Sequence, residues 1–370
     1  MKLNEVFRYF FRLGFIAFGG PAAHIAMMQQ DLVEKKKWLS SQNFLDYMGV
    51  TNLIPGPNST EMTMHCGYHR SGVAGVFVAG ISFILPAASL TLLIAIFYEQ
   101  YKELSWLVPI ITGIKASVIS LILAAVYKLG KKAVKSYYLL GIGLVVLAAS
   151  LLGLNEILCI LFAGLFAIAV HFSKKSSSLN SFLGIPLMAI ATVSFSQTKL
   201  FLVFLKVGLV LFGSGYVLFA YLEGELIDNL GWLTHSDLIE AIAIGQVTPG
   251  PILSTATFIG YKLGGIQGAL LATLGIFAPS FFYVIILHRF LDKMKKSAVL
   301  KVFLESVNVA AVAVMVAVTI SMGQSIIVDW QTLSIAVLTC ALYLGTNKMN
   351  SLYIILLGGI LGYLLLFVFG

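Results

Sequence analysis

Charge is scarce in this chain. Asp, Glu, Lys and Arg make up 11% of it, against roughly 25% in soluble domains, which excludes an ordinary water-soluble globule. Cysteine is nearly absent too. Cys66, Cys159 and Cys340 lie far apart in apolar sequence, with no CxxC spacing and no histidine cluster near them. That excludes a disulfide framework and gives no metal site, so the three are read as packing residues. No GxxxxGK[ST] loop is present to drive a pump with nucleotide, and no HExxH or spaced nucleophile and base suggests an enzyme. The chain is read as a non-enzyme without cofactor. Strict period-two alternation is also missing, which excludes a transmembrane barrel. The opening MKLNEVFRYFFRLGFIAFGGP has a basic start but no small-residue cleavage site, and reads as mature sequence.

What fills the chain is apolar sequence. Hydrophobic residues reach 59% and the mean hydropathy is +0.95. Windows such as Val73 to Tyr98, Leu107 to Tyr127, Leu200 to Leu222, Gly265 to Leu287 and Val302 to Met322 approach the ~20 residues that a spanning helix needs. The expected fold is an all-α, multi-pass integral protein of the cytoplasmic membrane, with the lipid bilayer as its first partner.

Two tripeptides interrupt these runs: Pro55-Gly56-Pro57 and Pro249-Gly250-Pro251. Proline lacks an N–H and clashes with the preceding turn, yet is tolerated at the first helical position. Each tripeptide therefore ends one helix and can start another. Within a bilayer, such a break survives only where protein or a water-filled cavity surrounds it. These breaks are the candidate transport site.

A shift of 194 positions carries the first tripeptide onto the second, along with Gly14 onto Gly208, Phe18-Gly19 onto Phe212-Gly213 and Trp38-Leu39 onto Trp232-Leu233. After a one-residue deletion, a shift of 193 carries Gly67-Tyr68 onto Gly260-Tyr261, Gly72 onto Gly265 and Pro86 onto Pro279. Shared glycines and prolines record backbone geometry rather than mere hydrophobicity. Two homologous modules follow, residues 1–172 and 199–370, with residues 173–198 as linker and a short candidate span. The soluble-looking stretch Ser173 to Ser181 marks the boundary.

Charge gives the modules opposite orientations. Lys35-Lys36-Lys37 precede Trp38, whereas Glu223, Glu225 and Asp228 occupy the matching stretch before Trp232. By the positive-inside rule the first stretch is cytoplasmic and the second external, an inverted-topology pair with its site where the modules meet. The net charge of +8 follows from the same rule, and no nucleic-acid partner is read from it. Whether Glu5 to Gln29 crosses or turns back at Gly19-Gly20-Pro21 also decides whether Leu183 to Phe195 must span. The helix-weakening run Gly213-Ser214-Gly215 at the equivalent place favours the hairpin.

Asn58, Ser59 and Thr60 follow the first break, and Ser254 and Thr255 follow the second. Helices starting there aim free N–H groups, the positive dipole end and hydroxyl donors at the break, which suits an oxyanion. Ordinary N-capping asks for the same residues. The turns at Gly19, Gly20, Gly213 and Ser214 offer more exposed backbone for the same cavity, or merely allow close helix packing. Lys115, inside an apolar segment, is a candidate cation for the anion, snorkelling being its plainer role. Glu61 and His65, one turn apart, are candidate proton carriers or a structural pair. Arg70 and Lys262 read as mouth residues. No metal ligands are assigned.

The ordered motifs FGGPAAHIAMM, LIPGPNST, CGYHRSGVAG and FILP, then LFGSGYVLF, GWLTHSDLIEAIAIGQVTPGP, FIGYKLGG and FAPS, resemble the chromate ion transporter family in its long, two-domain form. The resemblance covers nearly the whole chain. It implies a secondary transporter of chromate, a sulfate-like dianion, typically outward and conferring chromate resistance, by alternating access. Where members often carry glutamine before the first break this chain has Asn52, while Gln246 keeps it in the second half. Sulfate, another oxyanion or organic anion, or a passive anion channel are the alternative readings, and a homodimer is compatible with all of them.

Overall fold

A computed structural model describes residues 2–18, 20–173, 195–212, 215–290, 297–346 and 350–368. Among the described residues there are helices and no strands. The first half comprises α1 (Lys2–Ile16), α2 (Gly20–Met28) with a π-helical continuation (Gln29–Lys35), α3 (Ser41–Thr51), α4 (Asn58–Tyr101), α5 (Leu107–Ala133), α6 (Tyr137–Leu151) and α7 (Glu156–Ser173). The second comprises α8 (Gln197–Val210), α9 (Val217–Leu222) with a π-helical continuation (Glu223–Asn229), α10 (His235–Val247), a 3-10 turn (Ile252–Ser254) leading into α11 (Thr255–Leu287), α12 (Ala298–Ile326), α13 (Trp330–Gly345) and α14 (Ser351–Gly362). The halves match element by element, down to the two π-helical turns, which the 194-residue shift superimposes.

Local chemistry starts these helices. Ser40 accepts from the Asn43 N–H, Ser136 from Leu139, Ser196 from Lys199 and Ser297 from Leu300. Thr234 with Asp237, and Asp329 with Thr332, form reciprocal capping boxes on α10 and α13.

α4 and α11 each contain a reversal. Ser71 and Gly72 leave helical geometry in α4, Gly72 at φ 61° and ψ −151°. Gly264 and Gly265 do so in α11, Gly265 at φ 62° and ψ −153°. The positive φ calls for glycine. Four residues either side of the turn, Gly67 meets the backbone of Gly75, and Gly260 that of Gly268. Thr257 and Thr273 share a hydrogen bond at 2.8 Å across the same turn. Each long element is thus a short arm, α4a (58–70) or α11a (255–263), folded back on a long arm, α4b (73–101) or α11b (266–287).

Side-chain contacts fix the other reversals. Arg70 bonds Glu5 at 2.7 Å and lies 5.1 Å over the Trp38 ring, while Tyr9 packs on Trp38 at 5.8 Å. The start of α1, the end of the α2 stretch, the start of α3 and the end of α4a therefore share one mouth. α1–α2 and α3–α4a are both hairpins. The second half repeats this: Gln197 donates to the Gly264 carbonyl, Phe195 packs on Trp232 at 5.1 Å, and Lys262 pairs with Asp237. The apolar window Leu200 to Leu222 is accordingly no single helix. α8 stops at Val210, α9 starts at Val217, and Leu211, Phe212, Gly215 and Tyr216 between them are not helical.

Among the described residues, five helical elements are long and apolar enough to cross a membrane: 58–101, 107–133, 156–173, 252–287 and 298–326. Phe77, Ile81, Leu85, Leu93 and Phe97 form an exposed stripe along α4b, and Ile266, Leu270, Leu274, Phe282 and Ile286 one along α11b. Such stripes are stable facing lipid and costly facing water. The chain is an integral, multi-pass membrane protein. Residues 174–194, which hold most of the expected linker and the candidate span, lie outside the described residues.

Candidate functional site

The two Pro-Gly-Pro tips lie at the ends of the α3–α4a and α10–α11a hairpins. Gly56 has φ 134° and Gly250 φ 92°, conformations that L side chains avoid. Each then reaches across to the other half. The Gly56 N–H donates to the Leu211 carbonyl at 2.7 Å, and the Gly250 N–H donates to the Ala17 carbonyl at 2.9 Å. Ala17 and Leu211 directly follow α1 and α8, where terminal carbonyls lack helical partners. The 194-residue shift turns one bond into the other. Each tip is thus seated in the helix break of the opposite half.

Gly14 and Gly208 let the supporting helices come close. A Cβ at Gly14 would lie 2.8 Å from the Phe83 carbonyl and 3.0 Å from the Pro86 ring; at Gly208 it would lie 2.5 Å from the Ile276 carbonyl and 3.2 Å from the Pro279 ring. α1 and α8 consequently sit on the long arms where proline interrupts them, with their breaks level with the opposite tips.

Beyond the tips lie polar groups in a closed interior. Ser59, Thr60, Glu61, Ser254 and Thr255 are all buried. The Thr60 and Ser254 hydroxyls have no hydrogen-bond partner among the described residues, while the Ser280 hydroxyl lies against the Glu61 carboxylate. Leaving such a group unpaired costs about 1–3 kcal/mol, which makes Thr60 and Ser254 candidate contacts for a polar ligand. Glu61 and Ser280 converge on Gly56. Thr255 is committed instead to the Ile252 carbonyl at 2.8 Å, and Asn58 to Asn52 at 2.7 Å. The first tip meets Ser280 of α11b and the second meets Ala87 of α4b, so each tip faces the long arm of the other half.

The structure separates other candidates from this centre. Lys115 lies at the mouth of the second hairpin, bonded to Glu240 at 2.6 Å and Ser236 at 2.8 Å. Lys262 joins the same network through Asp237 at 2.5 Å, Glu240 at 3.1 Å and Glu99 at 3.7 Å. These pairs link the two halves. Arg70 is matched by Glu5 at the first mouth. Gly20 opens α2 with φ 77° and open space around its Cα, while Gly19, Gly213 and Ser214 lie outside the described residues.

His65 is buried and joins groups the sequence did not bring together. Its ring stacks on Tyr47 at 5.3 Å, and its Nδ1 lies 3.4 Å from Nδ1 of His288, from the second half. The Tyr47 hydroxyl bonds His69 at 3.1 Å, and Tyr68 packs on His288 at 3.9 Å. Ser280 and His288 were missed by sequence reasoning. The signal for Ser280 was the residue after a shared proline, Ala87 in one half and Ser280 in the other.

Comparison with known proteins follows the same two-part division. The chain matches the chromate transporter family over residues 4–168 and again over 198–363. It is 30% identical over 348 residues to a probable chromate transport protein of Synechococcus elongatus, covering 91% of this chain and 88% of that protein. It is also 30% identical to the chromate transport protein of Cupriavidus metallidurans, covering 97% of this chain and 92% of that one. A chromate transport protein of Pseudomonas aeruginosa is 29% identical over 98% of this chain and 92% of its own length. No solved structure matches. With both halves matched in sequence and both repeated in structure, the chain belongs to the chromate transporter family.

Proposed function

We propose that this chain is a secondary transporter of chromate-like tetrahedral oxyanions, built from modules 1–172 and 199–370 in inverted orientation. The observation that carries this reading is the crossed pair of hydrogen bonds, Gly56 to Leu211 and Gly250 to Ala17. It seats each helix start, with its dipole and a buried hydroxyl, in the helix break of the opposite half, which supports a site at the seam between the modules. A dianion there receives donors from both sides without several buried lysines. Asn58 and Ser59 through their backbone N–H groups on one side, and the Thr60 and Ser254 hydroxyls on either side, are the proposed ligands; the Thr60 and Ser254 N–H groups already donate to the Pro57 and Pro251 carbonyls.

Inversion is supported by one long helix. α4b begins beside Arg70 at the first mouth, and near its end Glu99 meets Lys262 of the second hairpin. The two hairpins thus open at opposite ends of an arm about 40 Å long. Lys35, Lys36 and Lys37 assign the first mouth to the cytoplasm, and Glu223, Glu225 and Asp228 the second to the exterior of the cytoplasmic membrane. An inside-negative potential favours exit of anions by about 2.3 kcal/mol per charge per 100 mV, which supports efflux and a resistance role.

Cross-module contacts at both mouths, Lys115 to Glu240 and His65 to His288, with buried residues between them, fit an occluded carrier better than an open channel. Rocking one module against the other would break one set while keeping the other. Sulfate, of the same shape and charge, is the alternative substrate. The test is uptake of labelled chromate and sulfate into proteoliposomes. Saturable movement of either, inhibited by the other, is expected; no movement of either by folded protein overturns the reading.

A further inference from the structure

Glu61, His65 and His69 recur every fourth residue along α4a, so they form one stripe over two helical turns, about 12 Å long. Burial falls off along it. Glu61 and His65 are fully buried, His288 beside them is half-buried, and His69 is exposed at the first mouth. At the inner end, the Glu61 carboxylate has only the neutral Ser280 hydroxyl against it, and Nε2 of His65 has no partner among the described residues. At the outer end, His65 faces His288 across the module interface, Nδ1 to Nδ1 at 3.4 Å. That contact requires one nitrogen to carry a hydrogen and the other to lack one.

The repeat supplies a control within the same molecule. Shifted by 193 positions, Glu61, His65 and His69 become Ser254, Phe258 and Lys262. The second hairpin therefore carries no titratable stripe, and its outer end is occupied by the carboxylate-paired Lys262. Among the described residues, the groups near the first stripe include Tyr47 and Asp46 of α3, Cys66 and Tyr68 of α4a, Ser280 and Tyr283 of α11, and His288. Tyr283 donates to the Leu209 carbonyl at 2.8 Å, and Asp46 accepts from Gln42 at 3.2 Å. None of them places a permanent cation against Glu61.

We infer that Glu61, His65 and His288 form a proton route between the first mouth and the oxyanion site, so that oxyanion and proton travel together. This rests on the oxyanion reading above and adds its coupling ion. An ionised Glu61 beside Gly56 repels an incoming dianion, whereas the neutral acid has an O–H to donate. Anion binding and protonation of Glu61 therefore favour each other, as linkage requires. Only a proton moves. Glu61 passes it through one bridging water to Nε2 of His65, His65 gives up the one on Nδ1 to Nδ1 of His288, and His288 releases the one on its Nε2 to the mouth beside His69. Because His288 belongs to the second module, rocking the modules apart cuts the route when the site turns away from the first mouth.

The experiment uses the full chain in sealed vesicles holding a pH-sensitive dye, with the potential clamped and a sulfate or chromate gradient imposed. Wild type is expected to change lumenal pH in the direction of anion movement. Glu61→Gln should abolish that change and make anion exchange insensitive to pH over roughly pH 5.5–8. His65→Phe and His288→Phe should slow the proton signal about tenfold or more, with folding checked by gel filtration of each variant. Anion movement without a pH change in wild type overturns the inference and leaves the oxyanion reading standing. Proton signals unchanged in folded Glu61→Gln, or in both folded histidine variants, also overturn it. No flux of either anion in wild type removes the oxyanion reading itself.

Discussion

The backbone N–H of Gly56 lies 2.7 Å from the carbonyl of Leu211, and the repeat converts this bond into that from Gly250 to Ala17. Each half thus completes the helix end that the other leaves open. Neither tip has its partner inside its own half, so the site depends on the two halves docking. That gives the backbone at these two glycines an importance no side chain at either position can supply.

Gly56→Ala and Gly250→Ala are expected to destabilise the protein strongly. Positive φ alone costs about 1–3 kcal/mol for a residue with a Cβ. At Gly56 the new methyl also collides with Glu61 and would lie 2.8 Å from the Ser280 hydroxyl; at Gly250 it would lie 2.8 Å from the Ala87 methyl. Gly231→Ala provides the comparison, with φ 62° but open space around it, and should show the strain without the collision. Thermal unfolding in detergent ranks the three, and equal losses would show that the tips are not tightly seated.

Thr60→Val and Ser254→Ala should separate binding from stability. Each removes a buried hydroxyl that has no partner among the described residues, so the free protein should unfold at the same temperature or slightly higher. A hydrogen bond to a charged ligand contributes about 1.5–3 kcal/mol, and sulfate or chromate affinity should fall at least about tenfold in each. Titration calorimetry measures it. A lowered melting temperature with unchanged affinity would make these hydroxyls structural.

Much of this architecture was readable because glycine and proline record backbone geometry. The repeat, both tips and the hairpin at Gly20 follow from where those residues recur. What stayed hidden depends on contacts between the halves. Lys115 looked like a cation for the anion site because an amine in an apolar segment needs a partner, yet its partner Glu240 lies 125 positions away. Ser280 and His288 were equally silent, since nothing local in α11 says which face meets α4a.

Lys115→Met is expected to loosen the second mouth while leaving oxyanion affinity within about twofold. Its Nζ sits between Glu240 and Ser236, and removing one partner of a partly buried pair leaves the other charge under-compensated. Glu240 keeps Lys262 at 3.1 Å, which limits the loss to about 1–3 kcal/mol. Glu240→Gln combined with Lys115→Met should cost less than the sum of the two single changes. A large fall in sulfate affinity with Lys115→Met would return Lys115 to the binding site.

Labelling at equivalent positions tests the inverted arrangement directly. Glu34 and Asp228 are related by the 194-residue shift and both are exposed, so each can carry a cysteine with little structural effect. The native Cys66 is buried, and Cys159 and Cys340 are half-buried; replacing all three by serine or alanine supplies a clean background. Glu34 neighbours Lys35 to Lys37, whereas Asp228 lies among acidic residues, so the positive-inside rule places them on opposite sides. A membrane-impermeant maleimide applied to intact cells should label Asp228→Cys and spare Glu34→Cys until the membrane is opened. Labelling of both from outside would mean that the modules run the same way. That outcome would overturn the inverted arrangement.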